Sequence, residues 1–479
     1  MSNQGELVLV STPSMSHILS IVQLAKLILK KTELISISIH IITLSSSYAE
    51  INAYVESQLV DNPYPTRLTF VIHPPIRNLP PPSTSHPFAT VLELNKPRIK
   101  QAIEDRVKAG LRKPVGFIVH MFCSTMLNVA NELDVPCYVY VTSGANLLNF
   151  QFYAQSLIDD HKVDVASVFS DSGFMGHVPG FKNPVPSKVI PSTLLQKQPW
   201  FDLVLNFTRK FREMKGILVN TYVELESFAI QELLDNKHKN IPPVYPVGPI
   251  LELDNERRGG SDNVEEESLI AWLDGQPKSS VVFLCFGSMG SFDDEQVIEI
   301  AKGLDRSGYR FLWSLRNMPP SDNNNILKAF LEGFVDRTCH RGKIIGPAPQ
   351  VVILSHPAIG GFVTHCGWNS ILESLWFGVP MATWPMYAEQ QLNAFVLLKE
   401  LELAVEIRMD YRSNWEGNKG NFLVTAMEIE NGVKNLMNMD KKMKERVKKM
   451  SDEGKKALQG LSSFNGLRSF IENVFRNVP

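Results

Sequence analysis

Residues 347–390 read PAPQVVILSHPAIGGFVTHCGWNSILESLWFGVPMATWPMYAEQ, and the centre of this stretch decides the fold. Gly360-Gly361-Phe362-Val363-Thr364-His365 is a short apolar run bounded by glycine, the pattern of a strand buried in a parallel sheet. Cys366-Gly367-Trp368-Asn369-Ser370 then forms a turn, and residues 371–377 form a mostly apolar helix closed by Gly378. A helix that begins this way directs unpaired N–H groups and the positive end of its dipole at the loop, which suits a phosphate. His365, Asn369 and Ser370 add side-chain donors at that point. Glu373 follows Asn369 by one turn and shares its helix face. A carboxylate beside a phosphate site is useful as an acceptor for hydroxyls, such as those of a ribose. The stretch therefore predicts a nucleoside diphosphate held at a helix N-terminus.

Outward from this stretch, strands and helices alternate in both halves of the chain. In the first half, strands are expected over residues 6–10, 34–44, 67–73, 114–122, 137–141 and 216–221, the last of that half. Helices are expected over 17–31, 124–133, 146–157 and 200–215, with a proline- and serine-rich loop over 78–86. Composition then shifts between 241 and 267, from a proline cluster to a polar, charged run, which reads as a linker. The second half restarts with a strand over 280–288 ending in Gly287-Ser288 and a helix over 293–307. A strand over 310–315, a polar loop over 317–325 and a strand over 342–346 lead back to the opening stretch. Beyond it come a helix over 390–401, a strand over 405–409, polar helices to 461 and an amphipathic helix over 463–478. The pattern predicts an α/β chain of two Rossmann-like, doubly wound parallel-sheet domains facing across a cleft. The expected boundaries are 1–245, 246–461 and a terminal helix over 462–479.

Composition narrows the function classes. With 479 residues, 44% hydrophobic and 20% charged, the chain suits two domains with full cores. A net charge of −2 argues against nucleic acid or an anionic membrane as the main partner. The five cysteines are odd in number and widely spaced, which suits free thiols in a reducing compartment and no metal site. The N-terminus lacks a signal-peptide pattern, and no run reaches the ~18 apolar residues of a membrane span. Asn206-Phe207-Thr208 has the form of a glycosylation acceptor, without meaning in a chain that is not secreted. A cytoplasmic monomer is expected.

The ordered pattern HCGWNS…E…GVP…WP…EQ resembles the signature box of plant family 1 UDP-dependent glycosyltransferases, and residues 347–390 match its 44 positions without a gap. The resemblance covers the whole chain. It implies a GT-B fold and inverting transfer of glucose from UDP-glucose to a hydroxyl of a small lipophilic plant metabolite, with the UDP-sugar as co-substrate and no cofactor. By this resemblance Ser288, His365, Asn369 and Ser370 serve the diphosphate, Gln350 and Glu373 the ribose, and Trp368, Glu389 and Gln390 the sugar. Pro347 and Ala348 fall where the box meets uracil. His17, which opens the helix after the first strand, matches the family's base.

Three positions depart from the family pattern. Ser16 stands where glycine commonly precedes the histidine, His120 where an aspartate orients it, and Pro347 where a tryptophan stacks on uracil. A second imidazole could accept a hydrogen bond from His17 but supplies no negative charge. Two alternatives follow: non-redox acid–base chemistry (isomerisation, elimination or cyclisation) using His17 and His120, or a pseudoenzyme that binds without turnover. Weakened transfer suits acidic acceptors such as phenols best. The apolar residues over 147–153 and 200–211 read as core in the first instance.

Overall fold

The structure is a computed structural model that describes residues 5–60, 62–77, 79, 86–195, 199–235, 240–253, 263–316, 325–413 and 420–476. Most of the expected 78–86 loop, the centre of the linker and most of the 317–325 loop lie outside these residues.

Continuous apolar runs build the first sheet. Leu7, Val8, Leu9 and Val10 are all buried, as are Phe117, Ile118 and Val119, so the central strands are covered on both faces. Seven parallel strands pair in the order Leu68–His73, Ile35–Ile42, Gly5–Ser11, Pro114–His120, Cys137–Val141, Gly216–Val219 and Val244–Pro246. The order reverses between Gly5–Ser11 and Pro114–His120, which opens a crevice at their carboxyl ends. Helix Met15–Lys31 covers one face, burying Ile18, Ile21, Val22, Ala25, Ile28 and Leu29 at helical spacing.

The second sheet repeats the plan with six parallel strands, in the order Gly342–Ile345, Arg310–Ser314, Val281–Cys285, Ile359–Thr364, Met381–Thr383 and Ala404–Glu406. Its switch point lies between Val281–Cys285 and Ile359–Thr364, so the loops beginning at Phe286 and His365 meet there. The architecture is two Rossmann-like α/β domains.

Some local readings need correction. Gly216–Val219 is not the last strand of the first sheet, because Val244–Pro246 pairs beside it from inside the proline-rich stretch taken for linker. Residues 263–274, at the linker's other end, are helical. Helix Pro87–Lys108 gave little signal because it carries two prolines. Pro87 costs nothing at the helix start, where its missing N–H has no partner to lose, and His86 Nδ1 accepts the Phe88 N–H. Pro97 lies in the interior and disguises the periodicity. Helices Tyr48–Val60 and Asn325–Thr338 were also missed.

The carboxyl edges of the two sheets face one another. The Trp368 indole N–H donates to the carbonyl of Asn220, just past strand Gly216–Val219, at 2.7 Å. Arg412 Nη2 donates to the carbonyls of Lys188 and Ile190 at 2.9 and 2.7 Å. The Glu400 carboxylate accepts the backbone N–H groups of Lys182 and Asn183 at 2.8 and 2.9 Å. Helix Ser462–Arg476 returns to the first sheet, where Phe470 meets the edges of Tyr138 and Tyr245 with centroids 5.0 and 5.7 Å apart.

Candidate active site

At the second switch point, strand Ile359–Thr364 ends in a strained turn. Cys366 has φ +62°, an uncommon value for a residue with a side chain. It is fixed by the Cys366 N–H donating to Thr364 Oγ1 at 3.1 Å and by Asn393 Nδ2 donating to the Cys366 carbonyl at 3.0 Å. Helix Trp368–Phe377 starts at Gly367 with no side-chain cap, so its first-turn N–H groups are open to a ligand. His365 is wedged beside this start. A methyl group on Gly287, whose φ is +76°, would stand 2.6 Å from His365 Nε2, and one on Gly367 would collide with the same atom. Both glycines are therefore required by the imidazole. Burial lowers the His365 pKa to about 4, opposed by the Cys285 backbone, so the ring is neutral near pH 7.

The remaining donor-side candidates gather around this turn. Gln350 opens helix Gln350–Ser355, and its Nε2 donates to Ser370 Oγ at 2.8 Å and to Glu373 Oε2 at 2.6 Å. Asn369 Oδ1 is buried without a protein partner, an orphaned acceptor beside the open helix start. Ser288 and Pro347 line a cavity of about 470 Å³ with Met289, Gly290, Ser291, Leu315, Arg316 and Gly346. Pro347 is exposed and Ala348 half-buried. Gln390 Oε1 accepts the N–H groups of Met386 and Tyr387 at 2.9 and 3.0 Å, and the Tyr387 side chain also hydrogen-bonds to Gln390. Glu389 follows Ala388, a second residue in the left-handed region at φ +57°, and burial raises its carboxyl pKa. The Trp368 indole is buried and donates its N–H to Asn220, holding the two domains together from the helix start.

At the first switch point the topology brings His17 and His120 together from the ends of Gly5–Ser11 and Pro114–His120. They do not form the hydrogen-bonded pair the sequence suggested. Their rings stack, with centroids 4.3 Å apart and planes 26° from parallel. Both His120 nitrogens are engaged elsewhere. Nδ1 accepts the Phe122 N–H at 3.2 Å, which makes it the unprotonated nitrogen, and Nε2 lies 3.0 Å from Thr142 Oγ1. His17 instead meets Thr12, with Nδ1 to Oγ1 at 2.9 Å. Burial lowers the His17 pKa to about 4, and it lowers that of His120 as well, with His17 adding to the effect. Ser16 is exposed, with its hydroxyl 3.2 Å from that of Ser14.

An aromatic wall runs away from this pair. Phe122 lies 5.6 Å from His17, and Trp200 lies 6.3 Å from Phe122 and 4.2 Å from His86, centroid to centroid. Phe150, Phe207 and Phe211 are buried in the core, whereas Trp200 at the start of helix Pro199–Phe211 is half-buried in the wall. Sequence reasoning missed Thr12, Thr142 and Arg316. A hydroxyl at a strand's end, five residues before a candidate base, was the signal for Thr12. For Arg316 it was a cation just past a strand beside a switch point.

Residues 257–455 match the family described as UDP-glucoronosyl and UDP-glucosyl transferase. A UDP-glucose flavonoid 3-O-glucosyltransferase of Fragaria ananassa is 43% identical, covering 99% of each chain. The chain belongs to the plant family 1 UDP-glycosyltransferases. Among solved structures, a transferase of Siraitia grosvenorii in complex with UDP superposes with TM-score 0.86 at 41% identity, covering 98% of this chain and 100% of the other. The Medicago truncatula protein UGT71G1 complexed with UDP-glucose also gives TM-score 0.86, at 36% identity and 99% of each chain. The transferase is thus an enzyme of the GT-B fold whose co-substrate is a UDP-sugar. Among its described residues no helix is long and apolar enough to cross a membrane, and no cluster of side chains could hold a metal ion.

Proposed function

We propose that the enzyme transfers glucose, with inversion, from UDP-glucose to a hydroxyl of a small aromatic plant metabolite in the cytoplasm, acting as a monomer. The observation that carries this is the pairing of two switch points: an uncapped helix start beside neutral His365 on one sheet, and a neutral imidazole at the carboxyl edge of the facing sheet. The first-turn amides, Ser370 and Ser288 hold the diphosphate, with His365 as a further donor. Gln350 and Glu373 bind ribose hydroxyls. Pro347 and Ala348 border the uracil, and Glu389 and Gln390 orient the sugar.

His17 acts as the general base through Nε2. It takes the acceptor hydroxyl's proton as that oxygen bonds to the anomeric carbon, and the bond to the β-phosphate oxygen breaks on the opposite face. UDP departs with the electron pair, its charge met by the donors of the helix start. A base held to a pKa of about 4 by burial is weak, which favours acidic hydroxyls such as those of phenols. The wall of Phe122, Trp200, Phe88 and His86 suits a flat ring. The relatives named as flavonoid glucosyltransferases agree with an acceptor of this class. Chemistry shared between two imidazoles is disfavoured, because His120 has no nitrogen free to exchange a proton with substrate.

The test incubates the enzyme with UDP-glucose and a panel of mono- and polyphenols, following UDP release and the anomeric configuration of the product. A β-glucoside is expected. Tight UDP binding with no glucoside from any phenol would overturn the assignment.

A further inference from the structure

We propose that Thr12 is the positioning residue of the base: its hydroxyl accepts the Nδ1–H of His17 and so leaves the Nε2 lone pair for the acceptor's proton. The inference rests on the transfer reading above and concerns which group replaces the carboxylate that the histidine lacks.

Thr12 is the first residue past strand Gly5–Ser11, 2% exposed, and His17 lies in the opening turn of helix Met15–Lys31. The turn between them folds back on itself, with the His17 N–H donating to the Ser14 carbonyl at 3.1 Å. This brings Thr12 Oγ1 to 2.9 Å from Nδ1. Among the described residues, Thr12 is the hydrogen-bond partner of the His17 side chain. His120 cannot substitute for it. With Nδ1 accepting from the Phe122 N–H, His120 is the Nε2–H tautomer and donates to Thr142 Oγ1, so its contribution is the flat face stacked on His17. Burial is what lowers the His17 pKa, and among the described residues no carboxylate hydrogen-bonds the His17 ring to stabilise an imidazolium.

A hydroxyl and a carboxylate do different things here. Either acceptor fixes the ring's orientation and selects the Nδ1–H tautomer. The carboxylate alone also carries a charge that grows in value as the ring is protonated. Thr12 therefore restores geometry without restoring basicity. In the reaction the proton moves from acceptor oxygen to Nε2 while Nδ1–H stays on Thr12. The oxygen–carbon bond forms, the carbon–phosphate-oxygen bond breaks, and the imidazolium later releases its proton to solvent.

The experiment compares wild type, Thr12→Val and Thr12→Ser, using two phenols of different acidity and a primary alcohol. Valine keeps the shape and removes the acceptor, whereas serine keeps the hydroxyl. Thr12→Val is expected to lower kcat by about 10- to 100-fold, less than the whole contribution of a general base. The KM for UDP-glucose should not change, and the loss should deepen as the acceptor becomes less acidic. Thr12→Ser should stay within about threefold of wild type, since the hydroxyl that accepts the hydrogen bond remains. The role is overturned if Thr12→Val keeps its kcat and pH profile, or if serine costs as much as valine.

A second measurement separates this from the transfer reading. The ¹⁵N shifts of the His17 ring, assigned by difference with His17→Gln, should show a protonated Nδ1 and bare Nε2 in wild type, lost in Thr12→Val. A wild-type ring protonated on Nε2 would refute the role of Thr12 whatever the reaction. The expected tautomer with no transfer to any acceptor would refute the reaction and leave the role of Thr12 standing.

Discussion

His365 and His17 each lie at the switch point of a parallel sheet, His365 just past the strand that follows the switch and His17 in the helix after the strand that precedes it, and burial depresses both to a pKa of about 4. They are held in opposite ways. His365 is fixed by backbone, pressed between Gly287 and Gly367 beside the left-handed Cys366. His17 is fixed by side chains, with Thr12 at one ring nitrogen and His120 against one face. The turn around His365 tolerates few substitutions, because a methyl group on either glycine meets the wedged imidazole. A site built of side chains can be retuned one residue at a time. On the proposed assignment, the donor side binds one co-substrate rigidly and the acceptor side carries the adjustable chemistry.

If that division holds, the two halves fail differently. His17→Ala should lower kcat by about 10²- to 10⁴-fold, the range for losing a general base. UDP affinity, measured by calorimetry, should not change. A matching loss of UDP affinity would show that the two sites are not separable. Gly287→Ala should do the reverse. Its methyl meets the imidazole at a positive φ, so UDP binding should weaken by about 1–3 kcal/mol, the cost of strain at such a position. With saturating UDP-glucose, most of kcat should survive. Full loss of turnover in a folded Gly287→Ala protein would mean that the donor turn also shapes the base.

The comparison also has a pH signature. His365 and His17 fall to about 4, as does His73, and His40 falls to about 3. Unfolded histidines bind protons near 6.5, so between there and pH 4 the unfolded chain takes up protons that the native state refuses. Stability is therefore full above about pH 6.5 and lost as pH falls towards 4. Each fully buried ring should cost about 2 kcal/mol at pH 5. Urea denaturation of His365→Gln at pH 7 and pH 5 should show a flatter dependence than wild type. His17 keeps more solvent contact than His365 and its share is reduced accordingly, so His17→Gln should flatten the curve less. Equal effects would mean that the His17 ring is as enclosed as that of His365.

The same division explains what could be read from the sequence. The donor turn is carried by consecutive residues, and strand, glycine turn and helix start announce themselves within ten positions. His17 was legible through the resemblance of its loop, and its geometry was not. Thr12, His120 and Thr142 come from three strand ends far apart in sequence, and only the sheet order makes them neighbours. The stacking of two imidazoles leaves no trace in spacing, which is why a hydrogen-bonded pair was the natural expectation. The bond of the Trp368 indole to Asn220 across the interface likewise had no local signal. The strand Val244–Pro246 was hidden by its terminal proline and the prolines flanking it, which an edge strand tolerates and a central one does not.

The smallest expected effect tests the one place where the backbone-built half departs from its family. Pro347 lies on the cavity of about 470 Å³ that also contains Ser288 and Arg316, and it offers a base little surface to stack on. Gly346 beside it has open space where a side chain would project, and its carbonyl is tied to Ser314 Oγ at 2.8 Å, so the backbone position is held. Pro347 itself is exposed, so an indole at 347 can be accommodated without disturbing the strand. Pro347→Trp should tighten UDP by up to about tenfold, at the lower end of what base–aromatic stacking contributes, because an exposed ring is partly solvated before it stacks. Pyrophosphate, which has no base, is the control and should bind both proteins alike. A gain shared by pyrophosphate would place the effect on the phosphate donors and not on the base. No gain for either ligand would point to Arg316, whose planar guanidinium lines the same cavity and can cover a base face by itself. Arg316→Ala in the Pro347→Trp background decides that point: if the guanidinium already occupies the base, removing it uncovers the missing gain.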